Sequence, residues 1–282
     1  MLIRLLGIFA IFMLASCAAK HNNSSQLQRL SERVSRLEVS KAAAIERNAA
    51  SQPLSTLSQT FVELASQAKH SVVEIKADPS VVINSGTGFV YNRDGIILTN
   101  DHLVKTRVKL PDGKIKIYYK EKITVKLYDG RTLKGRLIGV DPETDLAAIQ
   151  VNPDNLPRPL EFATRRVQQG ELAFSIGHPR GLNYSMEWRP ISAPYRIGSL
   201  PGTLLHQIGR GFFLGNSGGP VIDLQGKVIG MVYSTLNVKD KTDPKKTVVY
   251  AAIGWAIPAE TLIKIAPELI NGKYKISHFV KK

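Results

Sequence analysis

The spacing of hydrophobic and polar positions changes character along this 282-residue chain. Arg4 precedes an unbroken apolar stretch from Leu5 to Leu14, too short to be a dependable membrane-spanning helix. Leu27, Leu30, Val34 and Leu37 then recur at alternating spacings of three and four, the a/d seam of an amphipathic helix. The seam continues weakly at Lys41 and Ala44 and predicts a helical stalk over residues 26–50. A second helix-like segment covers Leu54 to Lys69. From Ser71 to Pro258 the pattern shortens to β-prone runs between turn residues, among them Ser71-Val-Val-Glu-Ile75, Leu146-Ala-Ala-Ile-Gln-Val151 and Gly254-Trp-Ala-Ile-Pro258. That rhythm predicts an all-β region, followed by one helix over 259–270. Asn155-Leu-Pro-Arg-Pro159 reads as a linker and divides the region into units of about 71–160 and 161–258.

Charge adds a local feature. The chain carries 38 Lys or Arg against 23 Asp or Glu, and residues 105–136 alone hold eleven basic and three acidic side chains. Within that stretch Val108 and Leu110 alternate with Arg107 and Lys109, Pro111-Asp-Gly113 turns the chain, and Ile115 and Ile117 alternate with Lys114 and Lys116. This is a hairpin pattern with a basic face. Its default meaning is a solvated surface; the functional alternative is contact with an anionic envelope surface or acidic substrates. No nucleic-acid-binding motif accompanies the charge, so nucleic acid is not an expected partner. No His, Cys or carboxylate set has metal-ligand spacing, and no Gly-Lys phosphate cradle is present, so neither a metal nor a cofactor is expected. The single cysteine, Cys17, excludes an intrachain disulfide framework.

Candidate chemistry centres on Gly215-Asn216-Ser217-Gly218-Gly219-Pro220. Glycines on both sides leave the Ser217 hydroxyl uncovered and free backbone N–H groups to turn toward it, as a nucleophile with an oxyanion hole requires. A serine hydroxyl needs an imidazole to take its proton, and the imidazole needs a carboxylate to fix its tautomer. Among histidines 21, 70, 102, 178, 206 and 278, only His102 closes a strand-like run, Gly88 to Asp101. Asp145 stands directly before the apolar run 146–151, whereas Asp112 and Asp129 precede glycines and read as turn residues.

Five ordered segments carry a family resemblance: Ser85-Gly-Thr-Gly-Phe89, Ile97-Leu-Thr-Asn-Asp-His102, Asp141-Pro-Glu-Thr-Asp145-Leu-Ala147, Ser175-Ile-Gly-His-Pro179 and Gly215-Asn-Ser-Gly-Gly-Pro220. The chain resembles trypsin-like serine proteases of the bacterial HtrA/Deg type over roughly residues 55–272. The order His, Asp, Ser also matches the chymotrypsin superfamily. The resemblance implies a chymotrypsin-like double β-barrel over 54–282 with the catalytic cleft between the barrels. It further implies Ser217 as nucleophile, His102 as proton shuttle, Asp145 as its orienting acid and the N–H groups of Gly215 and Ser217 as oxyanion hole. Protein or peptide substrates and a small or medium aliphatic P1 residue follow from the same resemblance.

Departures from the family pattern matter too. Asn216 stands where zymogen-activated trypsins have an aspartate that pairs with a freed N-terminus, so that route of activation is not expected. Arg210-Gly-Phe-Phe-Leu214 replaces the usual approach to the Gly-Asn-Ser, and its apolar character leaves a rival reading open: a catalytically silent protease-fold protein that binds or scaffolds. His178 replaces an asparagine and reads as a loop histidine. No PDZ domain of the family kind is expected after the 259–270 helix, since only about ten residues follow it.

Residues 1–16 read as a signal peptide, and Leu14-Ala-Ser-Cys17 resembles the bacterial lipobox, which implies cleavage before Cys17 and its lipidation. Ala18, by the same resemblance, favours the periplasmic face of the outer membrane. Residues 17–25 form a polar tether. Because HtrA/Deg proteases are typically trimers, the stalk is expected either to form a short trimeric coiled coil or to lie as one amphipathic helix on its own protease domain.

Overall fold

The computed structural model describes residues 24–77, 85–120, 122–239 and 247–273. The signal peptide expected over 1–16, Cys17 and the tether up to residue 23 lie outside the described residues. The chain divides into two compact units between Gln59 and Thr60.

The first unit is the greater part of helix α1 (Ser24–Ala68). The two helical segments expected at 26–50 and 54–69 are continuous, and the helix passes through Pro53 without a break. An interior proline costs roughly 3 kcal/mol, but no glycine or other stop signal accompanies it, and alanine-rich helix formers precede it. Leu30, Val34 and Leu37 of the seam stand exposed in this unit.

In the second unit, six strands close the first barrel in the order β1-β2-β3-β8-β7-β6. These are β1 (Val72–Lys76), β2 (Ser85–Val90), β3 (Ile96–Asn100), β6 (Lys122–Lys126), β7 (Thr132–Asp141) and β8 (Leu146–Gln150). The hairpin expected after His102 forms as β4 (Lys105–Lys109) and β5 (Ile115–Tyr119), a separate two-stranded sheet with Lys109 opposite Ile115. The second barrel closes as β10-β11-β14-β13-β12-β9. Its strands are β9 (Leu172–Gly177), β10 (Ser185–Ile197), β11 (Leu204–Gly209), β12 (Pro220–Ile222), β13 (Val228–Lys239) and β14 (Thr247–Pro258), and helix α2 (Ala259–Ile270) follows directly. The architecture is the expected all-β pair of antiparallel barrels with flanking helices.

Burial explains why the strands read as apolar runs and not as alternating ones. Val73, Ile97, Ala147 and Ile149 belong to the core of the first barrel. Their neighbours Val72, Leu98, Leu146 and Ala148 face the opposite way, into a shared core with Phe174 and Ile176 of the second barrel and Leu262 and Leu269 of α2. Both faces of these strands are therefore dry. The end of α1 joins that shared core: Leu64 and Ala68 are buried, and the Phe61 ring meets Phe174 edge-on with centroids 4.8 Å apart.

Candidate active site

His102 lies in the short turn that follows β3, and Asp145 immediately precedes β8, the strand paired with β3. Strand pairing in one barrel thus brings them together across 43 residues. Asp145 Oδ2 accepts a hydrogen bond from His102 Nδ1 at 2.7 Å, and Oδ1 accepts the His102 backbone N–H at 2.9 Å. An ionised carboxylate only accepts, so Nδ1 carries the proton and the Nε2 lone pair is left available. Asp145 is buried and holds a left-handed backbone conformation, φ 56°. That conformation is unusual for a non-glycine residue; it is held by its own carbonyl, which accepts from the Asp101 N–H and the Asn100 amide, both at 3.1 Å. Asp101 is buried beside it, and burial pushes its carboxyl up while the adjacent Lys105 ammonium pulls it down.

Ser217 comes from the second barrel, in the loop before β12. It shares with His102 and Asp145 a cleft of about 1660 Å³. Its hydroxyl donates to the Tyr233 carbonyl at 3.2 Å, and no Ser217–His102 hydrogen bond is made among the described residues. In unliganded sites such bonds are often long and tighten only with substrate.

The loop is shaped by close backbone approach. Gly215 has φ 101°, and a Cβ there would sit 2.3 Å from the His178 carbonyl oxygen; Gly218 has φ 82°, and a Cβ there would sit 2.1 Å from the Thr87 carbonyl oxygen. Only glycine fits either place. Thr87, on β2, holds this loop across the cleft. Its N–H donates to the Ser217 carbonyl at 2.9 Å and its hydroxyl to the Gly215 carbonyl at 2.6 Å. The N–H groups of Gly215 and Ser217 meet no acceptor among the described residues. Two bare donors beside a serine hydroxyl are what an oxyanion site requires.

Several neighbours carried no sequence signal of their role. Glu187 Oε2 accepts from Arg189 at 2.5 Å and from the Asn216 side-chain amide at 3.2 Å. The Arg189 guanidinium lies over the Phe212 ring at 4.6 Å. Phe212 fills the space beside β14, where a Cβ on Gly254 would lie 2.8 Å from its ring. Phe213 and Leu214 are exposed. His178, expected as a loop histidine, is fully buried, with its backbone N–H and Nδ1 each 3.2 Å from Thr87 Oγ1. The reason is that His178-Pro179 continues from β9 into the space under Gly215 and not out to solvent. No group of three or more His, Cys, Asp or Glu side chains suited to a metal occurs among the described residues.

Known proteins resemble this chain in sequence and in fold. Residues 86–231 match the family model of the trypsin-like peptidase domain. The chain is 30% identical over 281 residues to a probable periplasmic serine endoprotease, DegP-like, of Halomonas elongata, covering 93% of this chain and 54% of that protein. It is 33% identical over 199 residues to the putative serine protease HhoB of Synechocystis, covering 69% of this chain and 42% of that protein. It therefore spans about half or less of the curated relatives it matches. Among solved structures, the HtrA-type protease AlgW with a tripeptide aligns at 25% identity and a TM-score of 0.61, covering 76% of this chain and 64% of that one. A serine endoprotease from Yersinia pestis aligns at 25% identity and a TM-score of 0.58, covering 76% and 68%.

Two buried imidazoles make folding pH-dependent. Burial pushes His178 and His206 down to about 4, helped at His178 by the Lys126 and Lys76 charges and opposed at His206 by Glu260. The folded protein binds these protons less readily than the unfolded chain, so stability rises with pH between the two values. Each imidazole should withdraw up to ~3 kcal/mol as pH falls from about 6.5 to 4. Denaturant unfolding at pH 7 and pH 4.5 checks this: a His178→Asn, His206→Gln double variant should lose distinctly less stability over that interval than the native chain.

Proposed function

We infer the function from the premise that this chain belongs to the trypsin-like peptidase family, in its HtrA/DegP-like branch. We propose that it is a serine endopeptidase acting on exposed or misfolded segments of envelope proteins. The observation that carries this reading is the doubly hydrogen-bonded His102–Asp145 pair in the same cleft as Ser217, whose loop carries the two bare N–H donors. A turn about the Ser217 Cα–Cβ bond releases its hydroxyl from Tyr233, and His102 Nε2 takes the proton as Oγ bonds to the scissile carbonyl carbon. The oxyanion is held by the N–H groups of Gly215 and Ser217. Collapse breaks the C–N bond, the amine leaves with the proton from His102, and water then hydrolyses the acyl-enzyme by the same route.

The rival reading, a silent scaffold, is favoured by the resting hydrogen bond from Ser217 to Tyr233. A fluorophosphonate probe separates the two. It should label the native chain and not Ser217→Ala, and Asp145→Asn should slow peptide turnover on the order of 10⁴-fold. Absence of labelling in folded native protein, with or without peptide present, would leave the scaffold.

Anchoring and assembly belong to the same proposal. Lipidation at Cys17 would tether the protein to the envelope, and the exposed apolar seam at Leu30, Val34 and Leu37 supports a trimeric coil. Cys17→Ser should move the protein from the membrane to the soluble fraction of its host, and light scattering of the soluble mature chain should return three copies; a monomer at working concentration ends the trimer.

Cleft charge supports acidic segments as substrates. Arg107, Arg180 and Arg210 line the cleft exposed, and none has a carboxylate partner among the described residues. The acids in the lining, Asp145 and Glu187, are already paired. Peptides with one scissile sequence and Asp/Glu flanks should be cleaved roughly tenfold more efficiently than Lys/Arg-flanked ones at low salt. The preference should shrink at 1 M salt, where the screening length is about 3 Å, and equal rates at low salt would refute it.

A further inference from the structure

In the loop that carries Gly215, Asn216 and Ser217 the central side chain is almost fully buried: Asn216 is 2% exposed. Its Oδ1 meets no hydrogen-bond partner among the described residues. What it does reach is Glu187, whose Oε2 accepts from the Asn216 amide at 3.2 Å and from Arg189 at 2.5 Å. One carboxylate oxygen therefore joins an amide to a guanidinium.

Glu187 and Arg189 are two residues apart on β10 and share a face, while Trp188 between them points outward, 59% exposed. The strand beneath is firmly registered, with Glu187 opposite Ser175 and Arg189 opposite Ala173 on β9. Arg189 is 6% exposed and also donates to Ser175 Oγ at 3.4 Å. Its guanidinium covers the Phe212 ring at 4.6 Å. Phe212 is itself fastened to β13, its N–H donating to Thr235 Oγ1 and its carbonyl accepting from the same hydroxyl, both at 2.7 Å. The pair thus grips the loop at two places, Phe212 ahead of the glycine turn and Asn216 within it.

We propose that the Glu187–Arg189 pair is the positioning element of this site, an internal clamp that keeps Asn216 down and so aims the N–H groups of Gly215 and Ser217 at one point. This rests on the endopeptidase reading for its kinetic consequence, though not for its structural one. Asn216 lies between the two donors in the chain, so a side chain freed from Glu187 loosens the backbone dihedrals that set both N–H directions. A carboxylate in place of the amide would face Glu187 with like charge, which gives asparagine at 216 a reason of its own.

Removing one member would strand a buried charge and risk misfolding, so the decisive variant replaces both, Glu187→Leu with Arg189→Met, a change that buried pairs often tolerate. Two measurements are made. Hydrogen-deuterium exchange of amides 211–219 should accelerate at least about tenfold while the rest of the second barrel stays protected. In the active enzyme kcat should fall about 100-fold, as for loss of an oxyanion donor, with KM within about threefold. Arg189→Lys, which keeps the ion pair and loses the flat stack on Phe212, should recover part of kcat. Unchanged exchange in 211–219, or a double variant with native kcat, overturns the clamp. Failure of the endopeptidase reading looks different: the native chain fails to take a fluorophosphonate, while the exchange comparison still decides whether the clamp orders the loop.

Discussion

Thr87 is the place on which the rest of the site depends. It sits on β2 of the first barrel, and its N–H and hydroxyl both bind carbonyls of the Ser217 loop in the second, at 2.9 and 2.6 Å. His102 and Asp145 belong to the first barrel and Ser217 to the second, so no local structure can bring the three together. The relative placement of two closed sheets must do it. A pair of hydrogen bonds across the cleft is short and directional, and the Gly218 backbone lies so close to the Thr87 carbonyl that no side chain fits between. Alignment of His102, Asp145 and Ser217 is then a property of the interface between barrels and not of any loop alone.

Around that contact, charge is buried only in company. Asp145 meets His102, Arg189 meets Glu187 and Asp101 meets Lys105, each pair within one barrel or its adjoining turn. His178, directly under the Gly215 turn, stays neutral instead. An unpaired buried charge would cost several kcal/mol, so what the loop keeps unsatisfied is neutral: the backbone N–H groups of Gly215 and Ser217 and the Asn216 side-chain oxygen.

The family and both barrels were legible in the chain because glycine runs and doubly buried strands leave marks that survive without coordinates. Gly215, Gly218 and the flanking serine are spaced by local geometry, and Asp145 is recognisable from the apolar strand it precedes. Other features left no such mark. Glu187 and Arg189 look like ordinary alternating positions on a strand, and nothing in their spacing announces Asn216, 27 residues past Arg189 in sequence. Thr87 lay inside a recognised segment, yet its role appears only when the second barrel arrives. His178 read only as a loop histidine, and its burial comes from packing beneath Gly215.

Local chemistry therefore determined which elements form, where the chain turns and which side chains are candidates for nucleophile, base and acid. Tertiary structure decided what those groups face: a tyrosine carbonyl holding the Ser217 hydroxyl at rest, a threonine bridging two barrels, and an ion pair beneath the loop. The division has a physical cause. Backbone conformation and hydrophobic period act over a few neighbouring residues and are written in sequence order, whereas hydrogen bonds and ion pairs depend on distances between atoms that the chain brings together only after both barrels have closed.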